Sequence, residues 1–225
     1  MFGPPDRSLL LDRTGRAYLL PFMLVSLCLF LLSGGSSVRA QESAEDLAKK
    51  LSNPVAALIS VPFQLNYDEG LGPRGRGEKW TLNIQPVIPI SLNDDWNLIS
   101  RTILPVVDQQ DLGTGTGSQF GIGDTVQSLF FSPKLPTESG WIWGAGPVFL
   151  LPTASDDLLG SEKWGAGPTA VALRQQGPWT YGALANHIWS FAGDDSRNDI
   201  NASFVQPFLS YTAHSDEVDR SFRRS

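Results

Sequence analysis

The chain has one cysteine, Cys28, and two histidines, His187 and His214. Cys28 lies in an amino-terminal stretch expected to be removed, which leaves no disulfide, no thiol nucleophile and no cysteine-based metal site. His187 is close in sequence to Ser190, Asp194 and Asp195. In a regular strand, however, His187 and Ser190 have opposite parity and face opposite sides, so they do not form a nucleophile–base pair. The chain is therefore read as not an enzyme, with His187 an interfacial side chain beside Trp189. Basic residues are also scarce. Removal of the prefix takes away Arg7, Arg13, Arg16, Arg39, Asp6 and Asp12 and leaves 13 basic against 21 acidic residues, net −8. With no basic patch, nucleic acid is excluded as a partner. No Gly-Lys-Ser/Thr follows Gly113–Gly117, so that stretch is not a phosphate loop. Asp108, Asp111, Asp156, Asp157, Asp194, Asp195 and Asp199 crowd predicted loops without an EF-hand pattern and read as solvated loops. No cofactor or metal is expected.

Long apolar runs are missing as well. The longest, Tyr18–Leu32, falls short of the roughly twenty residues that a spanning helix needs. It follows Arg7, Arg13 and Arg16 and precedes a small, polar stretch ending Val38-Arg39-Ala40. That is the pattern of a secretory signal peptide, residues 1–40, cleaved after Ala40. The mature chain suits one domain.

What the chain does have is a repeated phrase. Trp143-Gly144-Ala145-Gly146-Pro147 returns as Trp164-Gly165-Ala166-Gly167-Pro168. A looser echo follows at Tyr181-Gly182-Ala183, and Gln85-Pro86 is matched by Gln206-Pro207. The repeated unit is a strand of about a dozen residues, longer than the usual strand of about five or six and long enough to cross a bilayer. Gln41–Asn53 reads as a short helix, with Ala44, Leu47, Ala48 and Leu51 at helical spacing and Asn53-Pro54 as its stop. Residues 41–55 are taken as a periplasmic helical segment and 56–212 as the β domain. Eight strands are predicted: Ala56–Tyr67, Lys79–Ser91, Trp96–Val107, Gln119–Phe131, Trp141–Pro152, Lys163–Gln175, Trp179–Phe191 and Ile200–Thr212. The second alternates most clearly, with Leu82, Ile84, Pro86, Ile88 and Ile90 on one face and Thr81, Asn83 and Gln85 on the other. Such alternation fits a barrel wall between lipid and lumen or a half-buried soluble sheet.

The connections mostly alternate between long and short. Long loops at 68–78, 108–118, 153–162 and 192–199 contrast with tight turns at 92–95 and 176–178. Outer-membrane barrels sort their loops this way, with short periplasmic turns and long external loops. Trp80, Trp96, Trp141, Trp164, Trp179 and Trp189 fall at or near strand ends, as an aromatic girdle requires. Trp179 and Trp189 are separated by roughly 23 Å along the membrane normal at a tilt near 45°. Arg101 and Asp124 are expected to point to the lumen with Asn83 and Gln85, because an arginine facing lipid at the midplane costs about 2–4 kcal/mol. The pair reads either as a selectivity pair or as a structural ion pair. Seven prolines, at positions 62, 86, 89, 105, 147, 168 and 207, fall inside predicted strands and oppose a continuous ladder.

The phrases Leu51-Ser52-Asn53-Pro54-Val55-Ala56, Ser60-Val61-Pro62-Phe63-Gln64-Leu65-Asn66-Tyr67, Leu82-Asn83-Ile84-Gln85-Pro86-Val87-Ile88-Pro89 and Gly121-Ile122-Gly123-Asp124, together with the two Trp-Gly-Ala-Gly-Pro units, resemble a bacterial exported family. That family is described variously as neuromedin U-like, as a transporter family or as the meta-pathway of phenol degradation family. The resemblance covers about Glu45 to Thr212. It implies an outer-membrane β-barrel of a Gram-negative cell that admits hydrophobic or aromatic compounds. Family members continue beyond this point through several more strands, whereas 213–225 is a charged tail, so the carboxy-terminal part is expected to be missing or replaced. The expected fold is all-β: an antiparallel, transmembrane-type up-and-down barrel of about eight strands with a short amino-terminal helix. The expected function is passive, porin-like transport of small apolar or aromatic compounds, with outer-membrane lipid and the barrel insertion machinery as partners. A non-conducting structural or binding barrel with a filled interior, and a soluble periplasmic ligand-binding barrel, are the alternatives.

Overall fold

The computed structural model describes residues Ser26–Leu27, 44–113 and 115–212. The basic leader residues, Cys28, the Ala40–Gln41 cleavage site, His214 and the 213–225 tail lie outside the described residues. Among the described residues one helix, α1 (Ala44–Leu51), accompanies an antiparallel sheet. The strands are β1 (Ser26–Leu27), β2 (Phe63–Leu71), β3 (Gly77–Ile84), β4 (Val87–Ser91), β5 (Trp96–Gln110), β6 (Ser118–Ile122), β7 (Thr125–Pro133), β8 (Trp141–Leu151), β9 (Lys163–Gln176), β10 (Trp179–Gly193) and β11 (Asn201–Tyr211). They pair in the order β1-β2-β3-β5-β7-β8-β9-β10-β11, with β4 and β6 on either side of β5. Each pass neighbours the next, and the sheet curls into a half-barrel. Among the described residues, no ladder joins β2 to β11.

Three expected elements differ from what forms. The first strand begins at Phe63 rather than Ala56, because 52–62 turns inward: Val55 and Ala56 are buried, and Ser60 bridges to Val87. The second splits into β3 and β4 at Gln85-Pro86. Proline has no N–H to give there, and its carbonyl instead accepts the Thr102 amide at 3.0 Å. The fourth splits into β6 and β7 at Gly123-Asp124. In both split passes the two halves line up along opposite ends of β5; the inside–outside alternation stays in phase across the β3–β4 break and shifts by one residue across the β6–β7 break.

Four of the other prolines are accommodated by position. Pro62 precedes β2, and Pro207 lies on the edge strand β11, where a missing donor can face the open side. Pro147 and Pro168 sit directly opposite each other in the β8–β9 ladder. A pair that can exchange no N–H bond must be of the non-hydrogen-bonded type, so their missing donors face the outer neighbours β7 and β10. Both of those ladders lapse at that point: β7–β8 skips from Ser128↔Val148 to Phe131↔Ala145, and β9–β10 skips from Asn186↔Thr169 to Trp189↔Ala166. The preceding glycines compensate. A Cβ on Gly146 would collide with the Leu129 carbonyl oxygen, and one on Gly167 with that of His187. The Cα–H in that direction therefore points at a carbonyl whose usual donor is proline, a weak substitute bond. The Gly-Pro steps of the repeated phrase are thus one solution used twice, in strands running opposite ways.

Candidate functional site

Register assigns the two faces. Odd-numbered residues of β5, from Asn97 to Gln109, lie on the concave face. Their partners Lys79, Thr81, Asn83, Val87, Gln119, Ser128, Phe130 and Ser132 lie there too. The same face continues through Ile142, Gly144, Val148, Thr169, Val171, Leu173, Thr180, Leu184, Gln206 and Phe208. The convex face carries Leu65, Tyr67, Trp80, Leu82, Ile84, Ile88, Ile90, Phe120, Ile122, Phe131, Trp164, Phe191, Val205, Leu209 and Tyr211. Most of these are strongly exposed, Phe120 by 75% and Leu209 by 69%. Gln85, Gln109, Ser128, Ser132, Thr169 and Thr180, by contrast, are buried on the concave side. The convex surface is thus far more apolar than usual, while the concave face mixes these polar residues with buried Val87, Ile99, Phe130, Val171, Leu173 and Leu184. Convex polar residues occur, and Ser100, Thr102 and Gln127 satisfy one another: Thr102 donates to Gln127 Oε1 at 2.6 Å, and Gln127 Nε2 donates to Ser100 Oγ at 3.0 Å.

Aromatic residues gather near the two ends of the convex face. Towards the short turns, Trp96 meets Trp143 edge-on (5.9 Å between ring centroids), Trp141 meets Tyr181 (6.3 Å) and Trp179 meets Tyr211 (4.9 Å). Towards the long loops, Tyr67 packs on Trp80 (4.4 Å) and His187 on Trp189 (4.2 Å), with Trp164 nearby in sheet register. All six tryptophans singled out from the sequence lie in these two rows. Trp143, Tyr67, Tyr181 and Tyr211 belong to them too. Their convex parity was the available signal.

The concave side is occupied at both ends. Near the short turns, α1 and the residues after it seat against the wall. Gln175 Nε2 donates to the Lys49 carbonyl at 2.8 Å, and Ser52 Oγ donates to Thr180 Oγ1 at 3.1 Å. Val55 joins Val87, Ile99, Phe130, Val171, Leu173 and Leu184 in the buried cluster. Near the long loops, segment 152–162 folds inward. Asp124 binds it, accepting the Ser161 amide and hydroxyl at 2.6 Å each and the Ala154 amide at 3.3 Å. Gln109 Nε2 reaches the Leu158 carbonyl at 3.1 Å. Arg197 then ties this segment to 194–200 through Glu162 at 2.8 Å and the carbonyls of Asp157 and Gly160. The bond to Glu162 holds Arg197 above its ordinary pKa. Buried Lys163 meets exposed Asp199 at 3.2 Å and holds that carboxyl below its usual range. Sequence reasoning found α1 from its periodicity but not its docking, and it missed the inward course of 52–62 and 152–162, which have no such pattern.

Arg101, Asn83 and Gln85 lie on the concave face, and Asp124 does not meet Arg101. Its carboxylate serves the loop instead, so neither the selectivity pair nor the structural pair forms. Arg101 Nη2 donates to Gln85 Oε1 at 2.6 Å, Gln85 Nε2 to Gln64 Oε1 at 2.9 Å, and Gln64 Nε2 to Asn66 Oδ1 at 3.1 Å. His187 and Ser190 are not brought together: His187 Nδ1 pairs with Ser203 Oγ at 2.7 Å on the convex side, while Ser190 Oγ caps the Ile200 amide at 2.9 Å. Asp156 and Asp194 accept nearby backbone amides (Leu158 and Ser196), and no group of three or more potential metal ligands occurs among the described residues. A shallow hollow of about 50 Å³ at the long-loop end is lined by Pro73, Arg74, Arg76, Asp111, Gly113 and Gly115. Comparison of this chain with family models, curated proteins and solved structures finds no match.

Proposed function

We propose that the chain is exported and forms the wall of an outer-membrane β-barrel that passes small apolar or aromatic compounds. The observation that carries this reading is the convex face, apolar and exposed over most of the sheet. In water, a contiguous apolar surface of this extent would be an aggregation site, whereas in a bilayer it is the required surface. The two aromatic rows support the same reading, since aromatic rings favour the two membrane–water interfaces. So does the placement of the longer loops at one end. The sequence phrases shared with the exported transporter-like family add to the case for a passive channel. Cell fractionation followed by urea or carbonate extraction tests the location: the chain is expected to stay with the outer membrane, and recovery in the soluble fraction would refute the proposal.

A second reading has its own observation. Segments 44–60 and 152–162 both occupy the concave side, as in a binding or structural barrel with a filled interior. Liposome swelling with small neutral solutes separates the two. Swelling at a rate above protein-free liposomes supports the channel. Swelling only after deletion of 44–60 supports a filled barrel.

A further inference from the structure

We propose that two copies of this chain close one barrel, with β2 of each copy paired antiparallel to β11 of the other. The proposal rests on the barrel reading above, because it is the bilayer that forbids an open sheet edge.

The sheet makes eight passes: β2, β3 with β4, β5, β6 with β7, β8, β9, β10 and β11. Its first and last passes are edges, and both offer unpaired backbone groups. The Ser190 amide donates to the Ile200 carbonyl at 2.9 Å and the Thr212 amide to the Pro178 carbonyl at 2.8 Å. In the antiparallel alternation the even-numbered residues of β11 therefore bond β10, and the amides of Ser203, Val205, Leu209 and Tyr211 point away from it. Pro207 is the one gap in that row. On the other edge the Gln85 amide donates to the Pro62 carbonyl at 2.9 Å, so even-numbered residues bond β3 and Phe63, Leu65 and Tyr67 turn their backbone groups outward. In both strands these outward-turned residues carry their side chains on the convex face. An antiparallel β2–β11 ladder thus keeps convex with convex and concave with concave. The β2 edge already takes an antiparallel partner, since β1 pairs Ser26 with Gln64 and Leu27 with Phe63; removal of the leader would vacate it. β11 carries no charged residue, the usual guard of a free edge. Phe204, on its concave side, is 48% exposed and would be covered by a neighbouring strand.

Geometry selects the second copy as that neighbour. Eight strands enclose room for side chains alone. Here the concave side already holds α1 and 52–62 at one end and 152–162 at the other, so eight passes cannot shut around their own contents. A half-barrel needs a second half of equal arc, and about sixteen strands leave space for the inward segments. Because the number of passes is even, β2 and β11 run in opposite directions. Two copies inserted the same way round, related by a two-fold axis along the barrel, meet antiparallel at both seams, and the ring closes. Two β11 strands could pair antiparallel only with one copy inverted, which would put long loops on both sides of the membrane.

Cys28, in the leader, is the one cysteine, so the mature chain suits disulfide mapping. Asn66→Cys is co-expressed in turn with Ala202→Cys, Phe204→Cys, Gln206→Cys, Phe208→Cys and Ser210→Cys, the concave positions of β11. After oxidation, non-reducing gels of the membrane fraction are expected to show a cross-linked dimer at one or two neighbouring positions, and none with Val205→Cys on the opposite face. No dimer at any concave position overturns the proposal. Both cysteines are then placed in one chain. A species of dimer mass is expected; a disulfide within a monomer means that eight passes close alone, and a ladder of larger species means that the seams do not close as a pair, and either result overturns the proposal. Val205→Pro removes an amide that β10 does not use, so the half-barrel should stand while dimerisation in detergent, measured by sedimentation, weakens about tenfold or more. An unchanged dimer would exclude the β11 seam. Fractionation tells the two failures apart: a membrane-bound monomer sinks the paired barrel and leaves the barrel reading, whereas a soluble chain sinks both.

Discussion

Substituting alanine at Gly167 or Gly146 tests the account of the prolines. At Gly167 the added methyl would lie well inside contact distance of the His187 carbonyl oxygen, and at Gly146 of the Leu129 carbonyl oxygen. Both obstacles are backbone, so neither can rotate away as a side chain would. The substitution also removes the Cα–H that stands in for proline's missing donor, worth about 0.5–1 kcal/mol. Forcing a methyl into a packed contact costs about 1–3 kcal/mol. Together these give about 2–4 kcal/mol, roughly thirtyfold or more in the folded-to-unfolded ratio. Gly144→Ala is the internal control. Its Cβ would meet Phe130 Cβ and Val55 Cγ1 at 3.2 Å, and small shifts of those side chains can relieve that contact. Its cost should be about 1 kcal/mol or less. Urea unfolding of the chain in micelles or vesicles, followed by tryptophan fluorescence, supplies the three values. If Gly146→Ala and Gly167→Ala cost no more than Gly144→Ala, close backbone approach is not what those glycines serve.

Other predictions address the faces, the ends and the loops. Ile84→Arg, on the convex face between the two aromatic rows, should lower insertion by about 2–4 kcal/mol, while Asn83→Arg on the concave face is tolerated; equal effects in a membrane-insertion assay would contradict the face assignment. Protease added to intact cells should cut within 111–117 or 194–200, and cutting at 92–95 or 177–178 would reverse the topology. Because Lys163 holds Asp199 below its ordinary pKa, their contact is fully present above about pH 4 and is lost as the pH falls through the lowered value. Proteolysis at 194–200 should therefore accelerate only in that acid range, and acceleration between pH 5 and 8 would refute the link.

The convex and concave faces were legible because a strand's period of two writes them directly into the sequence. Leu82, Ile84, Ile88 and Ile90 keep their face even across the break at Pro86. The repeated phrase marked the β8–β9 hairpin, yet its meaning lay in pairing. That Pro147 meets Pro168 depends on register, which a single strand does not record. Asp124 was legible as a costly acid but not as the anchor of 152–162, since its partners lie in a loop without periodic pattern. For the same reason, the inward turn that buries Val55 was hidden, and 56–62 was read as the start of a strand. Arg101 was found from its cost in lipid, whereas its line of amides from Gln85 to Asn66 needed three strands in place.

The lapses in pairing beside Pro147 and Pro168 divide the sheet into three panels: β2 to β7, the β8–β9 hairpin, and β10 with β11. Each crease lacks two residue pairs beside its proline and is locally looser there than the unbroken β8–β9 ladder. The wall is therefore expected to breathe by folding along these two lines rather than by parting any complete ladder. Backbone amides of β7 and β10 beside the creases should exchange with deuterium sooner than those in the unbroken β8–β9 hairpin. Any change in the width of the enclosed space would then come from the angle between panels.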